Sequence, residues 1–77
     1  MATETYRADD IRPLLLSGHI IRRPPRTEGT HFLPHAHVRD EGGSLTGRVH
    51  ENILRMLERD GQVQRIRAGG VIEWVLR

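Results

Sequence analysis

The sequence contains no cysteine and no lysine. Without cysteine, neither disulfides nor thiolate metal sites can reinforce a small core, and a cytoplasmic setting is the simpler expectation. Long apolar runs are missing as well, and the polar, acidic opening of residues 1–10 does not read as a secretion signal or a membrane span. Aromatic residues are scarce, with one Trp, one Tyr and one Phe among 77 residues. A chain of this length makes one small domain, 1–77, near the size at which a single core leaves only a few kcal/mol of net stability. A homodimer would add to that core.

What is present in quantity is arginine. All twelve basic residues are arginine, set against ten acids, for a formal net charge of +2. The guanidinium fork suits phosphates and guanine edges, although a G+C-rich coding sequence also yields an all-arginine chain. The positive charge is local: residues 12–26 carry Arg12, Arg22, Arg23 and Arg26 and no acid. Together with Arg65 and Arg67, the residues Arg22, Arg23 and Arg26 form a candidate phosphate-contacting strip if the fold brings them to one side.

The most informative stretch is residues 44–77, which reads as helix, glycine stop and hairpin. Val49, Ile53, Met56 and Leu57 recur at i, i+4, i+7 and i+8, an apolar stripe of helical period with Leu54 at its margin. Ser44 or Thr46 is a candidate cap at its start, and Gly61 after Asp60 a candidate stop at its end. Arg48, Glu51, Asn52, Arg55, Glu58 and Arg59 fall on the other surface of that helix, where Glu51 and Arg55 have pairing distance at i, i+4. Beyond it, two strand patterns flank Ala68-Gly69-Gly70, a hairpin turn. Ile72, Trp74 and Leu76 share one face by alternation and should press the Trp onto the helix. Val63 and Ile66 break that alternation, so Val63 is expected in the connection or beside a bulge.

The first half repeats this wording more weakly. Asp9 is a candidate cap for a helix over residues 9–17 whose first turn accommodates Pro13, and residues 19–22 follow as a strand. Residues 1–8 read as a flexible tail. Residues 24–43 read as a loop-rich connection, in which a short extended segment around residues 31–38 is demoted to a sheet edge by Pro34. The expected class is α+β, with two main helices each followed by a short β unit and a C-terminal hairpin.

Between residues 57 and 76, Leu57, Asp60-Gly61, Val63 and Arg65 resemble the helix-to-wing segment of the winged-helix fold. The resemblance implies a recognition helix followed by a wing, in a non-catalytic transcription regulator that binds double-stranded DNA. On that reading Thr46, Arg48, Asn52 and Arg55 contact bases or phosphates from the helix. Arg65 and Arg67 grip the flanking backbone from the wing, with Arg22 and Arg23 adding positive charge. A weaker resemblance runs from Leu14 through Gly18 to Gly29-Thr30-His31 and is similar to the HicA-type messenger-RNA interferases; it implies His31 as a base in RNA cleavage.

His31, His35 and His37 have the His-x3-His and His-x-His spacings of metal ligands, but no acid or thiol is clearly placed beside them, and neither a metal nor another cofactor is assigned. A third possibility is a protein-binding inhibitor or adaptor of the phage or mobile-element type, suggested by the small size and the near-neutral helix surface. The direction of the arginines separates these readings. Converging guanidiniums favour nucleic acid, whereas an exposed patch of Phe32, Ile72 and Trp74 favours a protein partner.

Overall fold

A computed structural model describes residues 4–23 and 35–77. These form, in chain order, β1 (Glu4–Tyr6), α1 (Ala8–Leu16), β2 (Ile20–Arg22), β3 (His35–Arg39), β4 (Leu45–His50), α2 (Glu51–Arg59), β5 (Val63–Ala68) and β6 (Val71–Leu76). The strands make one six-stranded sheet in the order β1-β4-β3-β2-β6-β5. Its pairings are antiparallel except for β1 beside β4. The chain is thus a small α+β domain, richer in strand than the sequence pattern indicates, and no helix among the described residues is long and apolar enough to cross a membrane.

Two-residue alternation builds the core. Ile21, Ala36, Val38, Val49 and Trp74 bring their side chains to one sheet face, where they pack with Ile11 of α1 and Leu54 and Leu57 of α2. All are buried, Trp74 to 1% exposure. Their strand neighbours Arg22, His37, Arg48 and Glu73 therefore project from the opposite face. Both helices lie on the apolar face, leaving the other without a helix among the described residues.

The hairpin, its glycine turn and the second helix stop match the sequence expectation. Gly69 and Gly70 both take positive φ, 58° and 82°, as a two-residue turn between antiparallel strands requires. Gly61, at φ 78°, follows Asp60 at the end of α2. Ile72 packs against the core on the same face as Trp74.

Several boundaries differ from the expectation. Residues 45–50 are strand β4, not helix, so neither Ser44 nor Thr46 caps α2. Ser44 instead closes the β3–β4 turn, its N–H donating to Asp40 Oδ1 at 2.9 Å. The cap is His50, whose Nδ1 accepts from the Asn52 N–H at 3.0 Å. With the helix beginning at Glu51, its buried stripe turns to Leu54 and Leu57, and Met56 is left 45% exposed. Val49 fits both the helical stripe and a strand alternating with Arg48 and His50; pairing with Ala36 of β3 decides for the strand.

Val63 is neither in a connection nor beside a bulge; it starts β5 and is buried, while Ile66 lies on the other face. Residues 4–6, expected in a tail, pair with β4, and α1 starts at Ala8, one residue ahead of Asp9, with Pro13 in its second turn. Its first turn is fastened by Asp10 Oδ2, which accepts from the Arg7 N–H at 2.9 Å. Residues 35–39, expected at an edge, pair on both sides. His31, Phe32 and the Pro24–Thr30 turn lie outside the described residues.

Gly47 shows how closely β1 approaches. A Cβ there would meet the Glu4 carbonyl oxygen and, at 2.5 Å, the Tyr6 ring. Tyr6 lies over the bare glycine and its hydroxyl donates to Thr46 Oγ1 at 3.2 Å. Gly47→Ala is expected to lower unfolding free energy by about 1–3 kcal/mol through overpacking, read from urea denaturation; an unchanged midpoint would show that β1 is not docked as described.

Candidate nucleic-acid interface

The face that carries the helices also gathers arginines at the hairpin side of α2. Across the sheet, Arg67 of β5 stands opposite Ile72 of β6, and the Arg23 N–H donates to the Ile72 carbonyl at 2.9 Å. Arg23 and Arg67 therefore flank Ile72 from either side. One row further along, Arg65 stands opposite Trp74, and its Nε lies 3.5 Å from Glu58 of α2.

Arg23 is held in two ways. Its Nε and Nη2 donate to the two Glu51 carboxylate oxygens at 3.0 and 2.8 Å, and its guanidinium lies 5.8 Å from the Trp74 ring centre. The Glu51 side chain is 11% exposed against 41% for Arg23, so the acid is the buried member of the pair. Hydrogen bonding to Glu51 outweighs burial and raises the Arg23 pKa further above its ordinary value. Arg55 does not pair with Glu51 as the i, i+4 spacing suggests. It donates to Asn52 Oδ1 at 3.1 Å, while both Glu51 carboxylate oxygens accept from Arg23.

On α2, Glu51, Arg55 and Glu58 follow at i, i+4 and i+7 along the flank that faces Arg23 and Arg65. That edge carries Arg23, Arg55, Arg65 and Arg67 against two carboxylates. Asn52 and Arg59 are exposed on the outer surface of the same helix. Five of the eight sequence candidates, Arg23, Asn52, Arg55, Arg65 and Arg67, thus share one side of the molecule.

The other three do not join them. Arg22 and Arg48 project from the helix-free face, and Arg22 Nε is 3.0 Å from Glu73. Thr46, on β4, donates to the Val38 carbonyl at 3.2 Å. Thr46 and Arg48, expected on the second helix, belong to strand β4, whose alternation turns Arg48 away from α2. Of the apolar patch proposed for a protein partner, Trp74 is buried and Ile72 packs on the core.

Sequence reasoning missed Glu51 as the anchor of Arg23, and His50 as the cap. The available signal was the Glu at the first position of α2, directly after an extended run, where a carboxylate complements the helix dipole. The histidines form a separate group. The rings of His35 and His50 meet edge to face with centres 5.1 Å apart, and His35 Nδ1 is buried without a hydrogen-bond partner. Among the described residues no three His, Asp or Glu side chains converge to hold a metal ion.

Burial lowers the pKa of His35, helped by the positive fields of Arg48, His50 and His37; burial lowers that of His37 too, helped by Arg39 and Arg48. Comparison with protein-family models, curated proteins and solved structures returns no match.

Two outcomes follow from this geometry. Glu51→Gln leaves Arg23 without its carboxylate and should cost about 1–2 kcal/mol of stability, the size of a partly screened charged hydrogen bond, measured by urea unfolding. Both imidazoles bind protons more weakly in the folded than in the unfolded chain. Their contribution is complete above the ordinary histidine pKa of about 6.5 and is lost as pH falls from there through their lower folded values. Replacing His35 and His37 by Gln should flatten that part of a stability-versus-pH curve, and an equally steep loss in the double variant would assign it elsewhere.

Proposed function

We propose that this chain is a non-catalytic DNA-binding regulator that meets the duplex with α2 and the β5–β6 hairpin. The observation that carries the reading is the flanking of Ile72 by Arg23 and Arg67, beside the Arg55 edge of α2. A helix presenting Asn52, Arg55 and Arg59, next to a hairpin presenting Arg65 and Arg67, has the components for base contact and backbone contact respectively. The winged-helix resemblance is supported by the pairing of β2 with β6 and of β6 with β5, which sets a strand after the first helix against the C-terminal hairpin. It departs from that family in the segment before α2, where the β3–β4 hairpin stands in place of a helix.

The carboxylates of Glu51 and Glu58 temper the field, so the binding we propose is moderate and strongly salt-dependent. On this reading Arg22, Arg48 and Thr46 are not part of the duplex contact. A second reading, the HicA-like ribonuclease, draws support from the antiparallel succession β2-β3-β4 between two helices; its base, His31, lies outside the described residues.

Fluorescence anisotropy of a labelled duplex tests the reading. Arg55→Ala with Arg67→Ala should leave the fold intact, weaken duplex binding at least about tenfold and reduce the salt dependence by roughly two phosphate contacts. Unchanged affinity in that folded double variant would remove α2 and the hairpin from the interface.

A further inference from the structure

The register of the sheet lines up one row of side chains across the face that bears no helix among the described residues. Arg48 of β4 stands opposite His37 of β3, and His37 opposite Arg22 of β2. Neighbouring strands lie about 4.8 Å apart, so the row from Arg48 to Arg22 spans about 10 Å. The row continues to Thr5 of β1 on one side and to Glu73 of β6 on the other. Glu73 is the one carboxylate among the described strand residues of that face, and it is engaged by Arg22 Nε.

We propose that this face binds single-stranded nucleic acid, with Arg48, His37 and Arg22 holding its phosphates. A metal ion does not suit the site, because two guanidiniums bracket the imidazole. A second copy of the chain, face to face, would set cationic rows against each other. The complementary partner is an anion, and an open sheet face gives a lone phosphate little burial, so useful affinity needs a ligand that repeats the anion along its length.

A single strand meets a second requirement. Two residues along each strand, on the same face, the half-buried imidazole rings of His35 and His50 lie beside the row, the kind of surface on which an unpaired base stacks. Both Arg22 and Arg48 remain exposed. Arg22 spends its Nε on Glu73, which leaves other guanidinium N–H groups for a phosphate.

Binding at this face is coupled to acid. His37 is surrounded by Arg48 from β4, Arg22 from β2, and Arg39 and His35 on its own strand; the helices lie behind the sheet. Burial first, and then the fields of Arg39 and Arg48, disfavour its proton in the free protein. A phosphate seated between Arg48 and Arg22 sets negative charge beside His37 and favours its proton, so single-strand affinity rises as pH falls.

The test uses the intact chain and labelled oligothymidine and oligouridine of about 16 nucleotides, titrated at about pH 7.5 and pH 6, on either side of the ordinary histidine pKa. His37→Gln with Arg48→Gln should weaken single-strand binding at least about tenfold, abolish its tightening in acid, and leave duplex affinity unchanged. Arg55→Ala with Arg67→Ala should do the reverse, so failure of the duplex reading is visible separately. Circular dichroism at both pH values confirms that each variant is folded. The proposal is overturned if neither oligonucleotide binds, if the His37 and Arg48 variant binds them as the parent does, or if inorganic phosphate at equal phosphate concentration displaces them completely. It is equally overturned if that variant loses duplex and single-strand binding together.

Discussion

The contact between Arg23 and Glu51 is the constraint on which the arrangement of the two faces depends. Glu51 is the first residue of α2 and follows β4 without a linker, so its carboxylate fixes where the helix leaves the sheet. Arg23 directly follows β2 and lies by the Trp74 ring of β6. One bidentate ion pair therefore ties β4, α2, β2 and β6 at a single point. The carboxylate is largely withdrawn from water while the guanidinium is not, which makes the geometry of the fork, more than bulk Coulomb attraction, the source of its specificity.

Two chemically different surfaces follow from strand alternation about that point. Ile21, Val49 and Trp74 face the helices; Arg22, Arg48 and Glu73 face away. Consecutive arginines 22 and 23 are thereby sent to opposite sides, one to the row with His37 and the other to the edge of α2. A positive run in the sequence is in this way divided by a two-residue period into separate patches, each with its own carboxylate: Glu73 for Arg22, and Glu51 for Arg23.

Much of the fold was legible in the chain. The glycine at 61, the Gly69-Gly70 turn and the Ile72–Trp74 alternation each name a local geometry that tertiary packing leaves intact. The segment 44–50 was not legible, because Val49 satisfies the helical stripe with Ile53 and equally a strand alternating with Arg48 and His50. Only the partner strand, through Ala36 opposite Val49, decides between them. The candidate site divides along the same line: Asn52, Arg55, Arg65 and Arg67 were placed on the elements that bear them, whereas Thr46 and Arg48 inherited the mistaken helix. The Arg23–Glu51 pair joins residues 28 positions apart, a relation that no local pattern reveals.

The proposed docking of a duplex on α2 and the β5–β6 hairpin is tested most directly by amide chemical-shift mapping of the isotope-labelled chain during titration with a short DNA duplex. The largest changes are expected on residues 52–59 and 64–68, with β3 and β4 nearly still. Changes concentrated on residues 35–39 and 45–50, or no saturable change at all, would contradict it.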